Sequence, residues 1–304
     1  MIIREKYLNR IKPFINKPVI KVITGIRRCG KSTFLRILID DLIKSKIKQE
    51  NILIINKDSL EFDHINTYSD LNDFVLSNFQ KITGKKYLFI DEVQTIQKWE
   101  KAVAGFFTDK IADIYITGSN AGLLSSDLAT LLTGRYIEIK INTLAFSEFL
   151  KFRNKTIIEK EDEFRLFMKY GGFPGIHQME LTDEVIYQYI SSIYSTILLK
   201  DVVARNQVRD VALLERIVRY IADNCGNITT AKGISKYIKS QHLKCSVDTI
   251  QNYILWLTDA YMAFKVTRYD IKGKRLLELY EKYFLGDTGF FLGILGNRTG
   301  DISG

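Results

Sequence analysis

Cysteine and histidine are scarce in this 304-residue chain, with three of each. Cys29, Cys225 and Cys245 form an odd, scattered set, which excludes a disulfide framework and a zinc-ligand spacing and fits a reducing compartment. His64, His177 and His242 are far apart and show no metal-ligand spacing, so they read as structural or surface residues. No apolar run approaches the roughly 18 residues of a membrane helix. The N-terminus MIIREKYLNR lacks the apolar core and small-residue cleavage site of a signal peptide. These absences predict a cytoplasmic protein without a membrane partner. Internal repeats and low-complexity tracts are also missing.

What is present is the balance of an ordinary globular protein, 46% hydrophobic and 26% charged. The length predicts a larger domain plus one or two smaller ones. A formal charge of +9 favours nonspecific association with nucleic acid or any acidic surface.

From Pro18 the run PVIKVITG is rich in β-branched residues and ends in glycine, as a buried strand entering a tight loop does. A helix follows from Lys31, with Phe34, Leu35, Leu38, Ile39 and Leu42 on one face. Further apolar runs at 51–56, 87–91 and 113–118 alternate with helical stretches Leu71–Phe79 and Trp99–Thr108, and Tyr136–Ile141 reads as a fifth strand. That alternation predicts a parallel sheet covered by helices. The segment from Leu144 to about Val208 reads as helical, broken at YGGFPG (170–175), with a new start at Thr182. Three helices near 211–224, 230–240 and 247–258 follow, with Thr229 and Ser246 as N-caps. Two strand-like runs, MAFKVTRYD and RLLELYEKYF, are joined by the basic turn IKGK, and the whole has the outline of a winged helix-turn-helix. The expected domains are 1–150, a connector 151–208, a winged helix 209–285 and a C-terminal region from 286.

Gly25-Ile26-Arg27-Arg28-Cys29-Gly30-Lys31-Ser32 matches G-x-x-x-x-G-K-[ST], and it lies between a predicted strand and a predicted helix. Phosphates need converging backbone N–H groups and a helix N-terminus, and glycine allows the required dihedrals and close approach. The pattern assigns Lys31 to the β- and γ-phosphates of ATP, the Ser32 hydroxyl to Mg²⁺ and Thr33 to the α-phosphate. Cys29 lies among anion-binding amides, a setting that can favour a thiolate and so redox control, although such a position is more often just a small tolerated residue. Arg27 and Arg28 stay open between phosphate contact and pairing with an acidic neighbour.

Tyr87-Leu88-Phe89-Ile90 runs into Asp91-Glu92, so both carboxylates end a buried strand where open α/β sheets bind ligands. Asp91 is expected to hold the magnesium ion through its water shell and Glu92 to polarise the attacking water. A glutamate directly after the aspartate points to ATPases, since a GTPase shows Asp-x-x-Gly where this chain has Asp91-Glu92-Val93-Gln94. Thr117-Gly118-Ser119-Asn120 ends the next strand and supplies candidates for sensing the γ-phosphate, Ser119 among them. Arg135 is a candidate for transition-state charge, in its own subunit or a neighbour's, and a surface salt bridge is its plain alternative.

Together, GIRRCGKST, LFIDEVQ, ITGSN, LLTGRYIEIKINTLAFSEFL, KYGGFPG and TILLKDVVAR resemble a family of prokaryotic AAA-like ATPases related to the archaeal ATPase and STAND groups. The resemblance covers almost the whole chain. It implies an α/β P-loop NTPase sandwich with strand order 5-1-4-3-2, followed by a helical connector and a winged helix, and then a region similar to nuclease cores. It also implies nucleotide contact at Gly30, Lys31, Ser32 and Thr33, metal and water roles at Asp91 and Glu92, and a sensor near Ser119. The chain stops at Gly304, where relatives continue, which predicts a truncated product or a member lacking that part, and no nuclease activity. Two functions stand open. One is Mg-dependent ATP hydrolysis driving a switch between the P-loop and winged-helix domains, with homo-oligomerisation if Arg135 acts across subunits. The other is a regulator that binds DNA or protein through the winged helix, where Lys272, Lys274 and Arg275 would track a phosphate backbone, and uses ATP/ADP only as a signal.

Overall fold

The computed structural model describes residues 2–124, 132, 134–155, 160–267 and 281–296. Contacts divide the chain into two units: Met1–Gly25 with Cys29–Asn142, and Ile26–Arg28 with Thr143–Gly304.

The first unit opens with α1 (Glu5–Ile11) and β1 (Ile20–Thr24), then α2 (Lys31–Lys44), β2 (Ile52–Asn56) and α3 (Tyr68–Phe79). It continues with β3 (Tyr87–Asp91), α4 (Trp99–Thr108), β4 (Asp113–Gly118) and β5 (Tyr136–Lys140). The strands form one parallel sheet in the order β2-β3-β4-β1-β5, the predicted 5-1-4-3-2 read from the other side. Every residue of β1, β3 and β4 is buried, as expected for central strands covered on both faces. Ile20, Val22, Leu88, Ile90, Ile114 and Ile116 pack with Leu71, Val75, Trp99, Val103 and Phe106 from α3 and α4 in one apolar core. Burial of each such side chain contributes roughly 1.5–3 kcal/mol. Helix α3 starts on a capping box in which Thr67 and Asp70 satisfy each other's backbone N–H groups.

The second unit contains α5 (Phe146–Phe152), α6 (Lys160–Tyr170) and α7 (Asp183–Thr196), which runs into a π-helical segment, Ile197–Ala204. It then has α8 (Val211–Asp223), β6 (Ile228–Thr229), α9 (Ala231–Ser240) and α10 (Val247–Asp259), followed by β7 (Ala263–Thr267), β8 (Glu281–Leu285) and α11 (Gly289–Leu295). Strands β6, β8 and β7 make an antiparallel sheet in that order. Ser246 caps α10 through the Thr249 N–H. The cap of α9 is Thr230 rather than the expected Thr229, because Thr229 is used by β6 against Glu281. The basic turn with Lys272, Lys274 and Arg275, and residues 297–304, lie outside the described residues.

The chain from Thr143 onward falls in one contact unit with Ile26–Arg28. YGGFPG supplies part of the reason. Gly172 donates its N–H to the buried Asp287 carboxylate at 2.9 Å and accepts from the Leu144 N–H at 2.7 Å. A Cβ on Gly172 would lie 2.4 Å from the Leu144 carbonyl oxygen, so no larger residue fits. Asp287 also accepts from the Gly289 N–H at the start of α11, which ties α11 to Gly172.

Candidate nucleotide-binding site

The P-loop leaves the C-terminal end of β1 and enters α2 at Lys31. Gly25 (φ 146°), Arg28 (φ 68°) and Gly30 (φ 101°) all have positive φ, which turns the loop back on itself. Gly25 has a steric reason as well: a Cβ there would lie 2.1 Å from the Ile141 carbonyl oxygen. The N-terminus of α2 follows this turn, and its dipole favours an anion there. A residue invisible to motif reading braces this loop. Arg4 is buried and donates from Nη1 to the carbonyls of Cys29, at 3.2 Å, and Asn142, at 2.8 Å.

Parallel register brings the ends of β1, β3 and β4 to one edge of the sheet, so Lys31, Ser32, Asp91, Glu92 and Ser119 share that edge. Lys31 is buried; its Nζ lies 3.1 Å from the Gly25 carbonyl and 3.6 Å from Glu92 Oε1. Asp91 is hydrogen-bonded by the hydroxyls of Ser32 and Thr117. Burial pushes the Asp91 carboxyl up, and these two hydroxyls pull the other way. Glu92 takes the left-handed conformation (φ 56°), unusual for a side chain of its size, and its N–H donates to Thr117 Oγ1 at 2.9 Å. Its carboxylate accepts from the Gln94 amide at 2.5 Å, and the same amide reaches Ser119 Oγ at 3.4 Å. Thr33 is exposed on the first turn of α2, and Asn120 bonds the Gly122 N–H.

Sequence reasoning placed Thr117 beside the acidic pair only as one of several γ-phosphate sensor candidates, and it gave Gln94 no part in this network. Their position was legible, at a strand end and just after the acidic pair, but their bonding depends on register between β3 and β4. Two readings left open by the sequence are narrowed by the geometry. Arg135 immediately precedes β5 and its carbonyl accepts from the Ile20 N–H, so it sits at the opposite edge of the sheet. The five residues of β1 at ~3.3 Å each put it roughly 16 Å along the strand from the loop, beyond reach of a phosphate held by its own chain. Cys29 is fully buried, and burial pushes its thiol up, against the thiolate reading. Arg27, in the loop segment that clusters with the second unit, pairs with an acidic neighbour: Nε and Nη2 both donate to Asp201 at 2.9 Å. Arg28 is exposed.

The donor set suits Mg²⁺. Asp91 and the Ser32 hydroxyl are hard oxygen ligands already within hydrogen-bonding reach of each other, and Mg²⁺ takes one or two protein oxygens with phosphates and waters completing its shell.

A strand, a glycine-hinged loop and a helix, facing an acidic strand end across a parallel 5-1-4-3-2 sheet, define the P-loop NTPase class. Comparison with known proteins narrows the class. A family model described as an AAA domain matches residues 17–150, and a domain of unknown function (DUF8612) matches residues 161–301. An uncharacterized protein of Haemophilus influenzae is 37% identical over 98% of this chain and 74% of its own length. One from Methanocaldococcus jannaschii is 32% identical over 93% of this chain and 64% of its own length. The solved Walker-type ATPase PABY2304 of Pyrococcus abyssi superposes with a TM-score of 0.65 at 15% identity, covering 97% of this chain and 96% of its own, which is a likeness of fold. The chain belongs to the AAA-like P-loop ATPase family.

Proposed function

We propose that the protein binds Mg-ATP and hydrolyses it to ADP and phosphate. The observation that carries this reading is the convergence of Lys31, Ser32, Asp91 and Glu92 at one sheet edge, with Lys31 Nζ only 3.6 Å from Glu92. Lys31 would neutralise the β- and γ-phosphates, and the loop amides with the α2 N-terminus would hold them in place. Asp91 and the Ser32 hydroxyl would hold Mg²⁺, which would supply positive charge at the phosphate oxygens. Glu92 orients and polarises the attacking water; Gln94 and Lys31 fix its carboxylate. Thr117 couples Asp91 to the backbone of Glu92, so one hydroxyl sets the spacing of both acids. Ser119, joined to Gln94, would report the γ-phosphate to Glu92. Arg135 enters this reading only as a group offered to the nucleotide of a second copy.

We read the α8-β6-α9-α10-β7-β8 order with its β6-β8-β7 sheet as a winged helix, and turnover as driving a change between it and the P-loop domain. Helix α10 carries no Lys or Arg, which favours a protein partner over base reading.

The decisive assay is phosphate release by the parent, Lys31→Ala and Glu92→Gln. Glu92→Gln is expected to keep nucleotide affinity and lose about 10²-fold or more in turnover, and Lys31→Ala to lose binding. Both variants turning over at the parent's rate would remove the enzymatic claim.

A further inference from the structure

At the edge of the sheet opposite the P-loop, a cavity of about 510 Å³ opens between the β1, β4 and β5 starts and the end of α4. Five cationic side chains line it, Lys17, Lys85, Lys86, Lys110 and Arg135. One carboxylate joins them, Asp113, and the buried Lys21 ammonium already pairs with it from below. The rim is therefore uniformly positive. Four of its five cations are exposed, and Lys86 is half-buried. A low-dielectric wall beside same-sign charges focuses the field and concentrates anions at the opening.

The floor has a different chemistry. Pro18, Phe107, Ile111 and Ile114 give it an apolar surface, and the Arg135 guanidinium lies 5.8 Å over the Phe107 ring. Aromatic and guanidinium planes are stacking platforms for flat rings. The volume lies within the roughly 300–1,000 Å³ typical of small-ligand sites. A cationic rim beside an apolar lining that includes the Phe107 ring matches a molecule with a planar apolar body and a phosphate. Gly134, at φ 71°, precedes Arg135, which lines the cavity.

We propose that this cavity is a second site for a nucleotide unit, base on the Phe107 and Pro18 floor and phosphate on the lysine rim, separate from the P-loop. The shared chemistry is a base bearing phosphate, which comes either from a single nucleic-acid strand or from a free nucleotide. An acidic polypeptide would use the rim but leave the floor without a partner.

The test uses the full chain carrying Lys31→Ala, so that the P-loop does not compete. Anisotropy of a labelled twelve-nucleotide thymidine strand is titrated across salt concentrations, beside an abasic strand of the same length, and ADP binding is followed by calorimetry. Lys85→Ala with Lys110→Ala, both exposed and remote from the loop, should weaken the bound probe at least tenfold. For a strand, losing two phosphate contacts should also lower the salt slope by about 1.4, at ~0.7 per contact. Phe107→Leu should weaken the thymidine strand and leave the abasic strand unchanged. Strand binding without ADP binding assigns the nucleic-acid source, and the reverse assigns the free nucleotide. Neither probe binding, the lysine double variant binding as tightly as its parent, or polyglutamate displacing the probe at equal charge concentration would each overturn the proposal.

Discussion

The buried Lys21 and Asp113 pair allows a quantitative test of how the first unit is held together. Lys21, in the second position of β1, is fully buried, and Asp113, the first residue of β4, is nearly so. Asp113 accepts from Lys21 through one oxygen and from the Asn16 N–H and the Tyr115 hydroxyl, each at 2.9 Å, through the other. Burial lowers the Lys21 pKa and Asp113 pulls it back up. Removing one partner of such a pair strands a buried charge and costs about 3–5 kcal/mol, whereas replacing both with neutral groups of similar size costs far less. Lys21→Met and Asp113→Asn should each fall in that range. The double variant should stay within about 2 kcal/mol of the parent, so the coupling energy is several kcal/mol. Asp113→Asn has a second signature. Without the carboxylate the Lys21 pKa falls further below its unfolded value of 10.5, so the unfolded state binds more protons in that window and stability should rise with pH toward 10.5. Urea unfolding is the assay, read from Trp99 in a Trp256→Phe background, because the chain's two tryptophans lie in different units and a global signal would mix them. Single variants within 1 kcal/mol of the parent, or a double variant equal to their sum, would refute the reasoning.

Two further outcomes are expected. His177 is packed between the rings of Phe149 and Phe152 with neither ring nitrogen hydrogen-bonded, and burial, helped by Arg153 and opposed by Glu163, lowers its pKa from 6.5 to about 4. The unfolded state therefore binds the extra proton between these values, and stability should fall by roughly 2 kcal/mol as pH drops from 6.5 to 4, after allowance for partial exposure. His177→Phe should flatten that loss in urea unfolding read from Trp256, and an unchanged slope would exclude His177 as its source. Cys29, wholly buried with its thiol pushed up, should resist alkylation in the native protein while the partly exposed Cys225 and Cys245 react. Equal labelling rates at all three, followed by mass spectrometry, would contradict the buried assignment.

The sheet was legible because its signals are local. PVIKVITG, YLFID and DIYITG each carry a run of β-branched or aromatic residues that only a strand buried on both faces accepts, and all three form central strands at the expected positions. The loop was legible because glycine at 25 and 30 marks positive φ without reference to anything distant. Whether Arg135 could serve its own chain's nucleotide stayed open in the sequence, because proximity to a strand does not say which end of the sheet that strand begins at. Only the parallel pairing of Ile20 with Tyr136 settles that.

What the chain dictated alone is therefore periodicity and dihedral tolerance: alternating strands and helices, a phosphate-shaped turn, and two carboxylates ending a strand. What tertiary structure decided is every relation between distant residues. Arg4 reaches Cys29 and Asn142, Lys21 pairs with Asp113, Thr117 links both acids, and Asp287 ties residues 171–172 to α11. Hydrogen bonds and ion pairs act over about 3 Å, so they are fixed only once packing and strand register have brought their partners together.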